Sequence, residues 1–354
     1  TSIGDQAFDG CVNLRGITVP DSVIDMGYGT FAQSGLTNAV IGARVACIRD
    51  SAFDNCRALA SISFSTGITS IGYYAFRQCS SLADVTIPSS VTGLVYGAFY
   101  YCAGLTNVVL GSGVRVIDDF VFNNCSALDN IAVAGGNSSF SSVDGVLFDK
   151  NRNTLIQYPC GRHGGYVVPD GVLTVSSGAF GSCTGLSSIV IPDGVNSIGA
   201  WAFQFCDGLK YVTMPGSITR IGAGAFNSCS GLSGLYFEGA PPTDVVLYGN
   251  DYGTKIYYLP GVAGWGADLD GWPTLPWNPR VVHAGLGFGP DGSGLFGFTV
   301  SGTGTMAVAV EACTNLTVSA WAPVSVFPLS GGTGAFTDAA STNHSARFYR
   351  LAMP

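Results

Sequence analysis

The chain has 354 residues, is 47% hydrophobic and only 11% charged, and carries 50 glycines and a formal net charge of −8. That composition excludes intrinsic disorder, which goes with few apolar residues and much charge. The acidic balance, without any Lys/Arg run, argues against a nucleic-acid or anionic-membrane partner, and no apolar stretch reaches the roughly 18–20 residues of a membrane span.

The chain opens on "TSIGDQAF", already in phase with "TSIGYYAF" at 69–76, so the natural chain is expected to extend upstream. "AFDGCVNLRGITVP" begins at Ala7. The phrase returns from Ala52, Ala75, Ala98, Val121, Ala179, Ala202 and Ala225. Cys56, Cys79, Cys102 and Cys125 are each 23 residues apart, as are Cys183, Cys206 and Cys229, and Cys11 belongs to the same series. Ser34 takes the cysteine place in "TFAQSGLTNAVI". Self-similarity at 20–29 residues indicates a leucine-rich repeat solenoid.

One unit shows why. Leu82, Val85 and Ile87 keep an L-x-x-L-x-L spacing. Val85 and Ile87 alternate with Asp84 and Thr86, the two-residue period of a strand, and Pro88 removes a ladder donor and ends it. The spacings of Ala75, Phe76, Cys79 and Leu82 place them on one stripe of a short helical turn. The fold expected is a repeat solenoid, a right-handed superhelix of parallel strands and short helical turns. No coil buries its stripe alone, so stacking supplies the core.

The period breaks once, with 58 residues between Cys125 and Cys183. An insertion at 134–165 is expected there. Its "VLFDKNRNTLI" reads as a hairpin around a polar turn, too apolar in Val146, Leu147, Phe148, Leu155 and Ile156 to be a free loop. The array resumes at "YVVPDGV".

The ladder cysteines read as packing residues. Equivalent positions on adjacent coils lie about 5 Å apart with parallel side chains, a poor fit to a disulfide. A line of thiols does not converge on a metal. His163, His283 and His344 have no ladder phase, so a catalytic thiol lacks a base. A free cysteine is a small hydrophobe. Cys56, Cys79, Cys102, Cys125, Cys183, Cys206 and Cys229 are therefore expected buried and reduced, and Cys47, Cys160 and Cys313 are off the ladder without evident partners. So many free thiols point to a reducing habitat.

Beyond Cys229 the pattern decays. "IYYLP" at 256–260 keeps the rhythm of a last strand. Trp265, Trp272 and Trp277 read either as a sugar platform or as part of a cap over the last coil at about 240–279, the cap being preferred. The solenoid is thus placed at 1–279. Residues 280–354 hold short alternating runs such as "TMAVAVEA", with Gly, Asn and Ser turns, and read as a small antiparallel β-sandwich. "GLGFGPDG" at 285–292 has no βαβ context and reads as a loop.

The recurring I-P-x-x-V-T-x-I-G-x-x-A-F-x-x-C-x-x-L over roughly residues 1–240 closely resembles the BspA-like (Treponema pallidum-type) leucine-rich repeats of bacterial surface proteins. The "DGVLFDK…LIQYP" interruption resembles one common in that family. The resemblance implies a secreted or cell-surface binding and adhesion protein, with no catalytic residues to carry over. The "VEACTNL…W" and "RFYRL" of the last residues resemble a C-terminal module of exported bacterial proteins, which implies no defined activity.

No catalytic, cofactor or metal residues are assigned, because the acidic and histidine residues form no constellation. In each strand the residues between core positions should face solvent: Thr18, Asn38, Ser63, Asp84, Thr86, Asn107, Val109, Asn130, Val190, Tyr211, Thr213 and Tyr236. The ligand-binding candidates are Asp84, Thr86, Asn107, Asn130, Tyr211, Thr213 and Tyr236, with contact centred on Tyr211, Thr213 and Tyr236, since tyrosine offers large area at low entropy cost. Plain cross-strand pairing of these tyrosines is the competing reading. The function expected is a non-enzymatic binding or adhesion protein, extracellular or on the cell surface. Its partner is a protein or extracellular-matrix component, with neither nucleic-acid binding nor membrane insertion, and the chain is expected to be a monomer. The alternatives are a carbohydrate-binding surface protein and a structural spacer.

Overall fold

The alternation of Val85 and Ile87 with Asp84 and Thr86 becomes a strand, Asp84–Ile87, whose apolar members are buried and whose polar members are exposed. It pairs in parallel with Asn107–Leu110, Asn107 opposite Asp84, and that strand with Asn130–Val133. A second, shorter parallel sheet runs along the other side of each coil, through Cys47–Ile48, Ser70–Ile71, Gly93–Leu94 and Val116–Ile117. The computed structural model describes residues 1–249, 252–285, 295–316, 320–344 and 346–354, with the side chains of 283–285 excepted. The glycine-rich stretch 285–292 thus lies, but for the backbone of Gly285, outside the described residues.

The chain forms two compact units. The first comprises Thr1–Leu209, Ile218–Gly231 and Pro242–Tyr248; the second comprises Lys210–Ser217, Leu232–Pro241 and Gly249–Pro354. The second unit therefore takes in strands of the repeat region, besides the 280–354 segment.

In the first unit one phenylalanine per coil stacks on the next. The ring centroids of Phe8, Phe31, Phe53, Phe76, Phe99 and Phe122 are 5.1 to 5.7 Å apart in sequence. These rings, the ladder cysteines and the strand Val, Leu and Ile residues form one continuous core.

The segment linking the two strands is not the short helical turn expected. Tyr74 and Gln78 have φ of 51° and 59°, so a right-handed helix cannot propagate through them. Its amides alternate instead. Ala75, Arg77 and Cys79 donate to the carbonyls three residues back, while Phe76 and Gln78 donate to Ala98 and Tyr100 of the next coil, at 2.8 and 2.9 Å. The turn is a flat ribbon that shares its hydrogen bonds with its neighbour, which satisfies buried donors a helix would have kept to itself.

The interruption folds back onto the array. Phe140–Val143, Val146–Asp149 and Thr154–Gln157 form an antiparallel meander, and Thr154–Gln157 pairs in parallel with Thr174–Val175. Val146, Leu147, Phe148 and Leu155 are buried. Gly164–Val167 re-enters beside Leu186–Val190. The expected hairpin is present, with one strand more than the sequence suggested.

Two cysteine expectations need correction. Cys160 is not off-ladder: Tyr158 stacks on Phe180 at 5.0 Å and takes the phenylalanine place of its coil. Nor is Cys183 reduced, since it forms a disulfide with Cys160. The objection to stacked disulfides assumed regular coil spacing. Here Cys160 follows its ring by two residues instead of three, and its Cα lies 4.3 Å from that of Cys183, closer than the usual spacing of parallel strands.

In the second unit, Tyr211–Met214, Gly234–Phe237, Lys255–Tyr258 and Trp272–Pro276 are parallel neighbours. Two three-stranded antiparallel sheets follow. One holds Arg280–Gly285, Phe296–Ser301 and Thr333–Asp338; the other holds Ala307–Cys313, Ala322–Pro328 and Phe348–Ala352. Phe298, Val300 and Phe336 of one sheet share a core with Val308 and Val310 of the other, as a small sandwich requires.

Candidate functional site

Along the first unit, Asp84, Thr86 and Asn107 are exposed and Asn130 is half-buried. The register sets Asp84, Asn107 and Asn130 side by side, and the Asn107 amide donates to the Asp84 carboxylate at 2.9 Å. Thr86 and Val109 form the next rung. Behind this stripe Val85, Val108 and Ile131 are buried. A polar strip on a rigid apolar backing offers hydrogen-bond donors and acceptors at fixed spacing without an ordering cost.

The tyrosine end of the predicted site is different. Tyr236 is 1% exposed. Its ring stacks on Tyr257 at 4.8 Å, Tyr211 meets it edge-on at 6.1 Å, and its hydroxyl accepts a 2.6 Å bond from the Ala307 amide. Burial pushes its phenol well above the ordinary tyrosine range. The Thr213 hydroxyl donates to the Pro354 carbonyl. Two-residue periodicity correctly turned these side chains away from the coil interior. It carried no information that Ala307–Cys313 and the chain end lie over them. Tyr236 is therefore a packing residue, and the expectation that it faces solvent is overturned.

The tryptophans are engaged internally. The Trp265 indole donates to Gly239 and lies flat against Tyr258; Trp277 donates to the Ala307 carbonyl; Trp272 is buried. Indoles so held form no open platform for a sugar face.

The ladder thiols have a role the sequence reading did not supply. Cys79, Cys102, Cys125, Cys206 and Cys229 each donate to the carbonyl of the phenylalanine one coil back, at 2.9 to 3.2 Å. The strict Phe-x-x-Cys spacing was the signal available. Burial holds Cys79, Cys102 and Cys206 well above the ordinary thiol range, and pushes Cys229 up to about 12. Such thiols are protonated at neutral pH and are poor nucleophiles. Among the described residues no three His, Cys, Asp or Glu side chains gather as a metal would require.

The family model of the BspA type leucine rich repeat region, in six copies, matches residues 1–106, 46–160 and 158–240. The chain belongs to the BspA-type leucine-rich repeat family. Among solved structures it is similar to a leucine-rich repeat protein from Eubacterium ventriosum, with 23% identity, a TM-score of 0.62, and coverage of 69% of this chain and 65% of that one. It is also similar to the pneumococcal vaccine antigen PcpA, with 21% identity, a TM-score of 0.51, and coverage of 73% of each chain. The chain thus spans about 65% of the length of the first of these structures. At such identities the likeness shows the fold. No curated protein matches the chain. No described helix is long and apolar enough to cross a membrane.

Proposed function

We propose that this BspA-type chain is a non-enzymatic binding or adhesion protein, secreted or held at the cell surface, whose solenoid recognises a protein or matrix partner through the strip at Asp84, Thr86, Asn107 and Asn130. The observation that carries the reading is the strip itself: exposed hydrogen-bonding groups at coil spacing, fixed by a buried apolar layer. Membership of the BspA-type family supports the surface setting that the resemblance to repeats of bacterial surface proteins implies. Trp265 and Trp277 are held by internal contacts, so the carbohydrate alternative loses the tryptophan platform and would rest on the C-terminal sandwich alone.

The test is Thr86→Lys with Asn107→Lys, two exposed changes that leave the apolar layer intact. The wild-type chain should bind a member of a panel of collagens and matrix glycoproteins, and the double variant should lose at least tenfold in affinity at an unchanged melting temperature. Unchanged affinity, or binding confined to a glycan array, would overturn the reading.

A further inference from the structure

A second surface of the first unit carries a more specific chemistry. It lies on the turns that follow the short strands. Tyr73, Tyr96 and Tyr101 are 50%, 36% and 42% exposed there. Their rings belong to one run: Tyr73 to Tyr96 at 6.3 Å, Tyr74 to Tyr96 at 5.7 Å and edge-on, and Tyr96 to Phe120 at 5.5 Å and edge-on, with Tyr101 joined through Tyr100, 4.7 Å from it and 6.2 Å from Tyr74. Large exposed aromatic patches mark interaction sites.

One end of this run already holds a cation. The Arg77 guanidinium lies over the Tyr74 ring at 5.0 Å and pairs with both oxygens of Asp54, at 2.8 and 2.7 Å. Ring face and carboxylate together seat a planar guanidinium, one by cation–π attraction and the other by a bidentate pair. The chain itself therefore shows what this combination binds.

The other end again gathers a ring and acidic residues around one cleft. The positions equivalent to Arg77 in the next two coils are Tyr100 and Asn123. Where the coil series is broken, a cleft of about 230 Å³ opens, lined by Phe120, Asp118, Asp119, Asp149 and Gln157, with no Lys or Arg in its wall; the Asp149 carboxylate also accepts from the Thr154 amide at 2.9 Å. Asp118 also accepts from the Tyr96 amide at 3.3 Å, which ties the cleft to the tyrosine run. No three of these groups converge as a metal ion would require. An extended cation with several donors suits them better than a point charge.

We propose that this cleft receives an arginine side chain of a protein partner, and that Tyr73, Tyr96 and Tyr101 seat the residues flanking it. The proposal rests on the reading of the chain as a binding protein, but uses a surface separate from the polar strip. Its partner is a segment of basic protein carrying at least one exposed arginine.

The experiment uses the full chain and a fluorescent decapeptide with one central arginine among glycine and serine, beside the same peptide with citrulline, which keeps the shape and removes the charge. Binding is followed by anisotropy at 20 and 150 mM salt. The arginine peptide should bind at least tenfold more tightly than the citrulline one, and weaken with salt. Asp118→Asn with Asp119→Asn should remove that difference, and Tyr73→Ser with Tyr101→Ser should weaken binding about threefold. Equal binding of the two peptides by the wild-type chain overturns the proposal, whether or not the aspartate variant folds. So does tight binding of calcium alone that needs the same aspartates. A failed matrix-panel test leaves this comparison intact, so the two readings stand or fall separately.

Discussion

At the scale of single residues, the repeated cysteine matters as a donor as well as a hydrophobe. The Phe76 carbonyl accepts from the Cys79 amide in its own coil and from the Cys102 thiol of the next, at 3.2 and 3.0 Å. It is enclosed in the core, so the second bond replaces water that cannot reach it. Serine keeps a donor at this place; the hydroxyl of Ser34, which stands in the series, makes its contact with the Cys56 thiol at 3.4 Å. Alanine keeps none and leaves a void where the sulfur was. Cys102→Ala is expected to cost about 1–2 kcal/mol through the lost bond and the void together, and Cys102→Ser about 1 kcal/mol, because a shorter C–O bond reaches the carbonyl less well. Urea unfolding of the two variants checks this. An alanine variant as stable as the wild type would mean the thiol contributes only volume that neighbours can refill.

At the scale of the element, the turn ribbon depends on an alternation between aromatic residue and glycine. Tyr74, Phe120 and Trp201 all have positive φ, as do Gly97, Gly178 and Gly224, the glycines that their rings meet. A Cβ on Gly97 would lie 2.5 Å from the Tyr74 ring, with similar approaches of Phe120 to Gly178 and of Trp201 to Gly224. Each ring thus covers the bare backbone of the next turn. Gly97→Ala would add a left-handed alanine, costing about 1–2 kcal/mol, and would also push the Tyr74 ring off Arg77 and Tyr96, costing about 1–3 kcal/mol more. Gly10, with φ of 67° and nothing within 4 Å, supplies the control: Gly10→Ala should show the backbone cost alone. In a Tyr74→Ala background the Gly97→Ala cost should fall to that of the control, and equal costs in both backgrounds would refute the ring contact. This element also marks how far the sequence could be read. The strand positions Val85 and Ile87 were legible because a period of two has one structural meaning. The spacing of Ala75, Phe76, Cys79 and Leu82 was ambiguous, since a helical stripe and a ribbon of turns both bury it, and a bulky tyrosine at positive φ contradicts local preference. Of the candidate site, the polar strip at Asp84, Thr86 and Asn107 was legible from the same period of two. The burial of Tyr236 was not, because it depends on Ala307, 71 residues away.

At the scale of the whole molecule, the stacked thiols and tyrosines link stability to pH. Cys56, Cys79, Cys102, Cys206 and Cys229 all have their proton loss pushed upward, in each case chiefly by burial. Tyr166, Tyr236 and Tyr257 are shifted the same way for the same reason. In the unfolded chain a thiol ionises near about 8.5. Below that pH both states hold the proton, and the full contribution of burial is present. Above it the unfolded chain releases protons that the folded chain keeps, so the unfolded state binds fewer protons and stability falls as pH rises. The loss amounts to about 1.4 kcal/mol per pH unit for each such thiol and continues to the folded value, which for Cys229 is about 12. Solenoid coils depend mainly on their neighbours, so the effect accumulates along the ladder. The urea midpoint should therefore stay level from pH 7 to about 8.5 and then drop steeply towards pH 10.5. Replacing Cys79 and Cys102 by serine, which does not ionise in this range, should lower the starting stability and flatten the alkaline slope by about two thiols' worth. A midpoint level through pH 10, or a slope unaffected by removing the two thiols, would show that the ladder does not retain its protons in the folded chain.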